Sequence, residues 1–145
     1  MISALLAVLR DDGLLLLDTS TLIGLEEELA ERRVGPVRTY LGRSKAQPLA
    51  CSTVSIGELA SGLDEESVRF FLLRLRKLPL SEAVAYRAGK LDRELARKGR
   101  RLGENDNWIA ATALHYSATL VFAVGDFMRV PGLKRHRIAV REHSS

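Results

Sequence analysis

The sequence holds one cysteine, Cys51, among its 145 residues. A single thiol excludes an internal disulfide framework and any cysteine-rich zinc site. Cys51 lies in a hydrophobic run, where a thiol packs as a small inert group rather than serving as a nucleophile. Long apolar stretches are missing too: none reaches the roughly 18 residues that span a bilayer. Met1–Leu9 is apolar, but it has no basic segment before it and no small-residue cleavage site, and Arg10, Asp11 and Asp12 close it early. It is therefore expected not to be a secretory signal, and the cytoplasm is the expected compartment, with no membrane partner. Internal repeats, low-complexity linkers and hairpin signals are also lacking. One domain is expected over residues 1–145, with 1–13 as an N-terminal extension and 142–145 as a disordered tail.

What is present suits a soluble globular domain. Hydrophobic residues make up 46% of the chain and charged residues 28%. A chain of this length buries about two-thirds of its unfolded surface and needs no metal or disulfide to fold. The net charge of +4 hides an asymmetry: residues 1–66 sum to −5 and residues 67–145 to +9. An acidic half joined to a basic one suggests a polyanionic partner held near an acidic site. The cations are 17 Arg and only 5 Lys, a bias that suits bidentate phosphate contacts and equally suits a GC-rich genome.

Strands and helices alternate along the chain. The all-apolar run Leu14–Leu17, stopped by Asp18-Thr19-Ser20, predicts a buried parallel strand. Thr19 or Ser20 then caps a helix to about Arg32, with Leu22, Ile23, Leu25 and Leu29 on one face. Gly35-Pro36 interrupts it, and a short helix over Val37–Leu41 follows. Pro48 precedes a strand over Leu49–Val54. Helices are predicted over Ser55–Leu63, Glu65–Leu78 and Ser81–Lys98, the last with Gly99 as its C-cap. The stretch Phe70–Leu78 carries more apolar residues than one helix face can bury, so part of it should meet a partner or a second helix. Asn105 caps a helix to about Tyr116. Thr119–Val124 is a strand, Pro131-Gly132 a turn and Arg137–Val140 an edge strand. The alternation predicts an α/β fold around a parallel sheet.

In such sheets, sites form beyond the carboxyl ends of the strands. Asp18 follows the first strand, Glu58 lies one turn into the helix after the second, Asp106 opens the helix before the third, and Asp126 follows it. Each has an ordinary alternative: Asp18 and Asp106 as helix caps or dipole partners, Glu58 as a solvated flank, Asp126 as a turn residue. Together they form a set of carboxylates whose repulsion a hard divalent cation relieves, and oxygen-only ligation favours Mg²⁺ or Mn²⁺ over zinc. An aspartyl-nucleophile phosphatase would want a second Asp at position 20, where Ser20 stands. Arg97, Lys98, Arg100 and Arg101 form a basic loop just before Asp106, able either to track a phosphate backbone or simply to be solvated. Trp108 either packs against a neighbouring helix or stacks on a base.

Four blocks, in order, resemble the PIN domain, and within it the VapC-type toxins of bacterial and archaeal toxin–antitoxin pairs. They are Leu15-Leu16-Leu17-Asp18-Thr19-Ser20, Ser55-Ile56-Gly57-Glu58-Leu59-Ala60, Asn105-Asp106-Asn107-Trp108-Ile109-Ala110-Ala111, and Asp126-Phe127-Met128-Arg129-Val130-Pro131-Gly132-Leu133. The resemblance runs from about Leu14 to Val140. It implies a three-layer α/β/α sandwich around a mainly parallel sheet of four to five strands. It further implies a metal-dependent endoribonuclease acting on tRNA or ribosomal RNA, a homodimer, and a cognate VapB-type antitoxin. Asp18 and Asp106 would hold Mg²⁺ or Mn²⁺, Glu58 would ligate it through water or orient the attacking water, and Asp126 would help place a second ion. Ser20 would support the acids from behind, or else cap the helix. The chain departs from the family at Phe122, Ala123 and Val124, where a Thr and a further Asn or Asp usually stand. The alternative is therefore a degenerate PIN domain that binds RNA or antitoxin without cutting.

Overall fold

The computed structural model describes residues 13–139. The proposed tail and nearly all of the N-terminal extension lie outside them. Five strands form one sheet: β1 (Leu15–Leu17), β2 (Leu49–Ser52), β3 (Arg76–Leu78), β4 (Thr119–Phe122) and β5 (Arg135–Arg137). Their order is β3-β2-β1-β4-β5, and every pair is parallel. Between them run α1 (Thr19–Ala30), α2 (Pro36–Arg43), α3 (Thr53–Ala60), α4 (Glu65–Phe71), α5 (Glu82–Arg97) and α6 (Glu104–His115). None of these helices is long and apolar enough to cross a membrane.

The two-residue period of a strand divides the leucine run between two cores. Leu14 and Leu16 pack with Leu91, Leu95, Ile109 and Ala110, on the α5–α6 side. Leu15 and Leu17 pack with Leu22, Val37, Leu59 and Val68, on the side of α1 to α4. Leucine is a weak strand former, but burial on both faces overrides propensity here. The expected three-layer α/β/α sandwich is thus present, with the sheet wholly parallel. Ala110, Ala111 and Ala113 are fully buried, so α6 lies close against its neighbours.

Several element boundaries differ from the sequence reading. The predicted helix over Glu65–Leu78 ends at Phe71, and its last three residues are β3, paired with Ala50, Cys51 and Ser52. The free edge of β2 supplies hydrogen bonds that outweigh local helix propensity. The apolar surplus is resolved by the same break: Leu72, Leu75 and Leu78 are buried, whereas Phe70 and Leu73 are 81% and 69% exposed. The edge strand is Arg135–Arg137, not Arg137–Val140; Ile138 buries its side chain just after pairing ends, and Val140 lies outside the described residues. β2 stops at Ser52 because the Ser52 hydroxyl caps α3, accepting from the Val54 amide. β4 ends at Phe122 rather than Val124. α1 is capped by Asp18, not by Thr19 or Ser20, and Gly103 rather than Asn105 precedes α6. Ile23 and Leu29 are about half exposed, so only part of the predicted α1 face is core.

Glu28 fixes the α1–α2 corner. It is 2% exposed, and its carboxylate accepts from the amides of Gly35 (2.8 Å), Val37 (2.9 Å) and Arg38 (3.0 Å). These are the orphan donors at the start of α2, which has no capping side chain of its own. Glycine is required at position 35 by space, since a Cβ would lie 2.7 Å from the Glu28 carboxyl carbon. Glu28→Ala strands three amides at once and is expected to cost about 3 kcal/mol in urea unfolding. A loss below about 1 kcal/mol would mean that water replaces the carboxylate without difficulty.

Candidate functional site

Strand order reverses between β1 and β4, and the residues beyond their carboxyl ends share one edge of the sheet. Asp18 leaves β1 there. It is 2% exposed and accepts from the Thr21 amide at 2.9 Å. The Ser20 hydroxyl donates to the same carboxylate, lying 2.8 Å from Oδ1 and 2.9 Å from Oδ2. Ser20 Oγ also accepts from the amides of Ala123 and Val124, both at 3.1 Å. This serine therefore ties the β1–α1 turn to the segment leaving β4.

Glu58 stands on α3, half-buried, and Thr19 Oγ1 donates to its Oε1 at 2.7 Å. Thr19 Oγ1 in turn shares a 2.8 Å hydrogen bond with Ser55 Oγ. Thr19 and Ser55 are site residues that sequence reading missed. Their signal was available: Thr19 directly follows the first acid, and Ser55 lies three residues before Glu58 on the same helix face. Asp106 is the third residue of α6 and half-buried. Gly125 approaches it: at φ +133° its backbone conformation favours glycine, and a Cβ there would lie 3.5 Å from Asp106 Oδ2 and 2.8 Å from the Phe127 ring. Asp126 follows, exposed, with Arg129 Nη2 3.7 Å from its Oδ2.

The four carboxylates are linked electrostatically. Burial pushes Asp18 up to about 6, against the hydrogen bonds from Thr21 and Ser20, and the negative charge of Asp106 raises it further. Asp106 is also held above the ordinary carboxylate range, first by burial and then by the charges of Glu58 and Asp126. Among the described residues, however, no three His, Cys, Asp or Glu side chains form a ready-made metal cluster. Asp18 and Glu58 each have a hydroxyl donor of their own, and Asp126 faces Arg129.

Phe122, Ala123 and Val124 offer the site no side-chain oxygen. Phe122 is buried with its ring against Phe127, the centroids 5.2 Å apart. Arg97, Lys98, Arg100 and Arg101 are all exposed; Arg97 is the last residue of α5 rather than part of the basic loop, and the other three lie between α5 and α6. Arg101 turns toward Asp92, with Nε 3.3 Å from Oδ1, and its carbonyl accepts from Arg129 Nη1 at 3.2 Å. Trp108 packs against Val84, Ala88 and Ala111, so its ring serves helix packing at least in part. Cys51 is buried, and burial pushes its thiol up to about 11, which excludes a nucleophilic role.

A wholly parallel sheet with acids gathered at its switch point defines an α/β domain with an acidic centre. The sequence model of the PIN domain family matches residues 15–133, and the chain belongs to that family. Ribonuclease VapC2 of Rickettsia felis is 31% identical over 99 residues, covering 62% of this chain and 74% of that protein. Ribonuclease VapC10 of Mycobacterium tuberculosis is 40% identical over 72 residues, 48% of this chain and only about half (54%) of that relative. Among solved structures, VapBC2 from Rickettsia felis bound to a promoter DNA fragment superposes with a TM-score of 0.72 at 25% identity, covering 87% of this chain and 99% of the other. DNA-bound VapBC from Salmonella typhimurium gives 0.71 at 25% identity, covering 85% and 96%.

Proposed function

We propose that this PIN domain is a divalent-cation-dependent endoribonuclease that hydrolyses phosphodiester bonds in structured RNA, tRNA or ribosomal, and is held in check by a VapB-type antitoxin. The observation that carries this reading is the electrostatic linkage of Asp18, Glu58, Asp106 and Asp126 at the sheet's switch point. The ribonuclease names of the relatives and the toxin–antitoxin pairing of the structural neighbours support it. We take residues 1–145 to work as one domain, in the cytoplasm and as a homodimer.

The donor set fits Mg²⁺ or Mn²⁺. It is all oxygen, and Asp106 is disfavoured as an anion first by burial and then by its acidic neighbours Glu58 and Asp126, a cost that a hard cation offsets. Asp18 and Asp106 would hold the ion, with Asp126 at its exposed flank. When bound, such a cation supplies positive charge that polarises the phosphoryl group and eases deprotonation of water. Ser20 keeps Asp18 oriented by bonding both oxygens. Glu58 has Oε1 held by Thr19, which leaves Oε2 to accept a proton from the attacking water. The exposed Arg97, Lys98 and Arg100 would attract the RNA backbone toward an edge that would otherwise repel it. Ile23, Leu29, Phe70 and Leu73 offer apolar contacts for an antitoxin segment.

A second reading, a domain that binds RNA or antitoxin without cutting, is favoured by Phe122, Ala123 and Val124 and by the pairing of Asp126 with Arg129. Sequencing RNA 5′ ends after induced expression separates the two. Discrete new ends in one RNA loop, suppressed by the co-expressed antitoxin, are the nuclease outcome. An unchanged set of ends is the outcome for the non-cutting domain.

A further inference from the structure

α5 and the start of α6 border a cleft of about 430 Å³. That volume falls within the roughly 300–1,000 Å³ of small-molecule sites. Trp108 lines it, and Gly89 lies in the part contributed by α5. Gly89 is an interior helix residue, a place where glycine is unfavourable. A Cβ there would meet nothing within 4 Å, so the chain's own packing does not call for glycine. The missing side chain instead keeps the cleft open beside an aromatic ring.

The polar lining has a definite pattern. Asn107 Nδ2 donates to the Ala88 carbonyl at 2.9 Å, which fixes the amide orientation. Asn107 is 8% exposed, and its Oδ1, closed off from solvent, has no donor among the described residues. Glu104 adds a carboxylate acceptor, and Asp92 and Arg101, paired with each other, line the cleft as well. A flat ligand that presents adjacent N–H donors beside one acceptor matches this set. Among RNA bases, the Watson–Crick edge of guanine has that arrangement, with N1–H and the N2 amino group next to O6. Contact with Asn107 Oδ1, which is closed off in the structure, requires a side-chain displacement at the floor of the cleft.

Asn107 is the residue after Asp106, so the cleft and the acidic centre are both built on the first turns of α6. We propose that it takes the base of a nucleotide flanking the scissile phosphate and selects guanine there. This inference rests on the nuclease reading given above. Stacking on Trp108 and hydrogen bonds to Asn107 and Glu104 would position the RNA strand across the carboxylates.

Trp108 is the chain's single tryptophan, so tryptophan fluorescence comes only from this residue of the cleft lining. Guanosine 5′-monophosphate is expected to quench it saturably, uridine 5′-monophosphate to bind at least about fivefold more weakly, and ribose 5-phosphate not to quench. Gly89→Phe fills the cleft without a backbone clash and should weaken the guanosine response about tenfold or more, with melting temperature and oligomeric state unchanged. Gly89→Ala should retain it. Mapped cut sites should share a guanine at one fixed position beside the cut, and Gly89→Phe should lose that preference. No saturable quenching by the wild type, equal quenching by the two nucleotides, or a response surviving in Gly89→Phe would each overturn the proposal. So would a changed oligomeric state in that variant, which would make the cleft a contact between copies. A chain that cuts RNA but fails these tests loses the guanine site and keeps the nuclease reading; one that binds guanosine monophosphate yet leaves RNA uncut loses the nuclease reading, and with it the positional role of the cleft.

Discussion

Asp18→Asn is expected to make the protein more stable and inactive at once. Asp18 is almost fully buried, and its carboxyl is pushed up to about 6 from an ordinary value of 3.8. Because the folded-state value is raised, the favourable contribution of the protonated form is complete below about pH 4 and is lost as pH rises through 6. Without a divalent cation, the wild type therefore gives up about 3 kcal/mol at this one residue between those limits. Asparagine keeps the cap on α1, since it caps about as well as aspartate, and carries no charge to bury. Unfolding in EDTA should show the variant level with the wild type at pH 4 and up to about 3 kcal/mol more stable at pH 7.5. RNA cleavage should fall by about 100-fold or more. Equal stability of the two proteins at pH 7.5 would show that Asp18 is an ordinary capping residue.

Divalent cations should reverse that loss, and most strongly above the titration of Asp18. At pH 7.5, Mn²⁺ at one hundred times its dissociation constant adds about 2.7 kcal/mol to the folded state. For a chain of this size, that raises the melting temperature by about 8 °C. At pH 5 most Asp18 is protonated, because its value is about 6, and affinity should drop about tenfold for this residue alone. The shift then shrinks to a few degrees. Asp106→Asn should remove most of it at both pH values, and Asp126→Asn should remove less, because Asp126 is exposed and already faces Arg129. A shift of the same size at pH 5 and 7.5 would place cation binding elsewhere.

Much of this was legible in the chain. Four leucines stopped by Asp18 mark a buried strand because no helix fits so short a run. α5 ends at Arg97 with Lys98 as its C-cap, one residue before the predicted end, and Gly99 follows at φ +64°. The four acids are recognisable as a set because Asp18 and Asp126 follow strands, Asp106 lies in the first turn of a helix, and Glu58 lies within the helix that follows the second strand. What was not legible depends on distant partners. β3 exists because the edge of β2 is available to it, and its residues look locally like the continuation of α4. The Thr19–Glu58 hydrogen bond joins residues 39 apart in sequence, and a sequence alone gives no distance between them. The Ser20 bridge to Ala123 and Val124 uses main-chain amides, which leave no mark on residue identity. The charge asymmetry also takes a new meaning: Asp18 and Glu58 come from the acidic half and Asp106 and Asp126 from the basic half. The charge therefore does not divide the chain into an acidic site domain and a basic binding domain.

The central claim is that these carboxylates assemble a cation-dependent centre for cutting RNA. It is tested most directly by incubating the purified wild type and Asp106→Asn with total tRNA and ribosomal RNA, in Mg²⁺ and in EDTA. The account predicts discrete cleavage by the wild type in Mg²⁺ alone, none in EDTA, and loss of about 100-fold or more in the variant. Cleavage at the wild-type rate by Asp106→Asn, or cleavage that persists in EDTA, would contradict it.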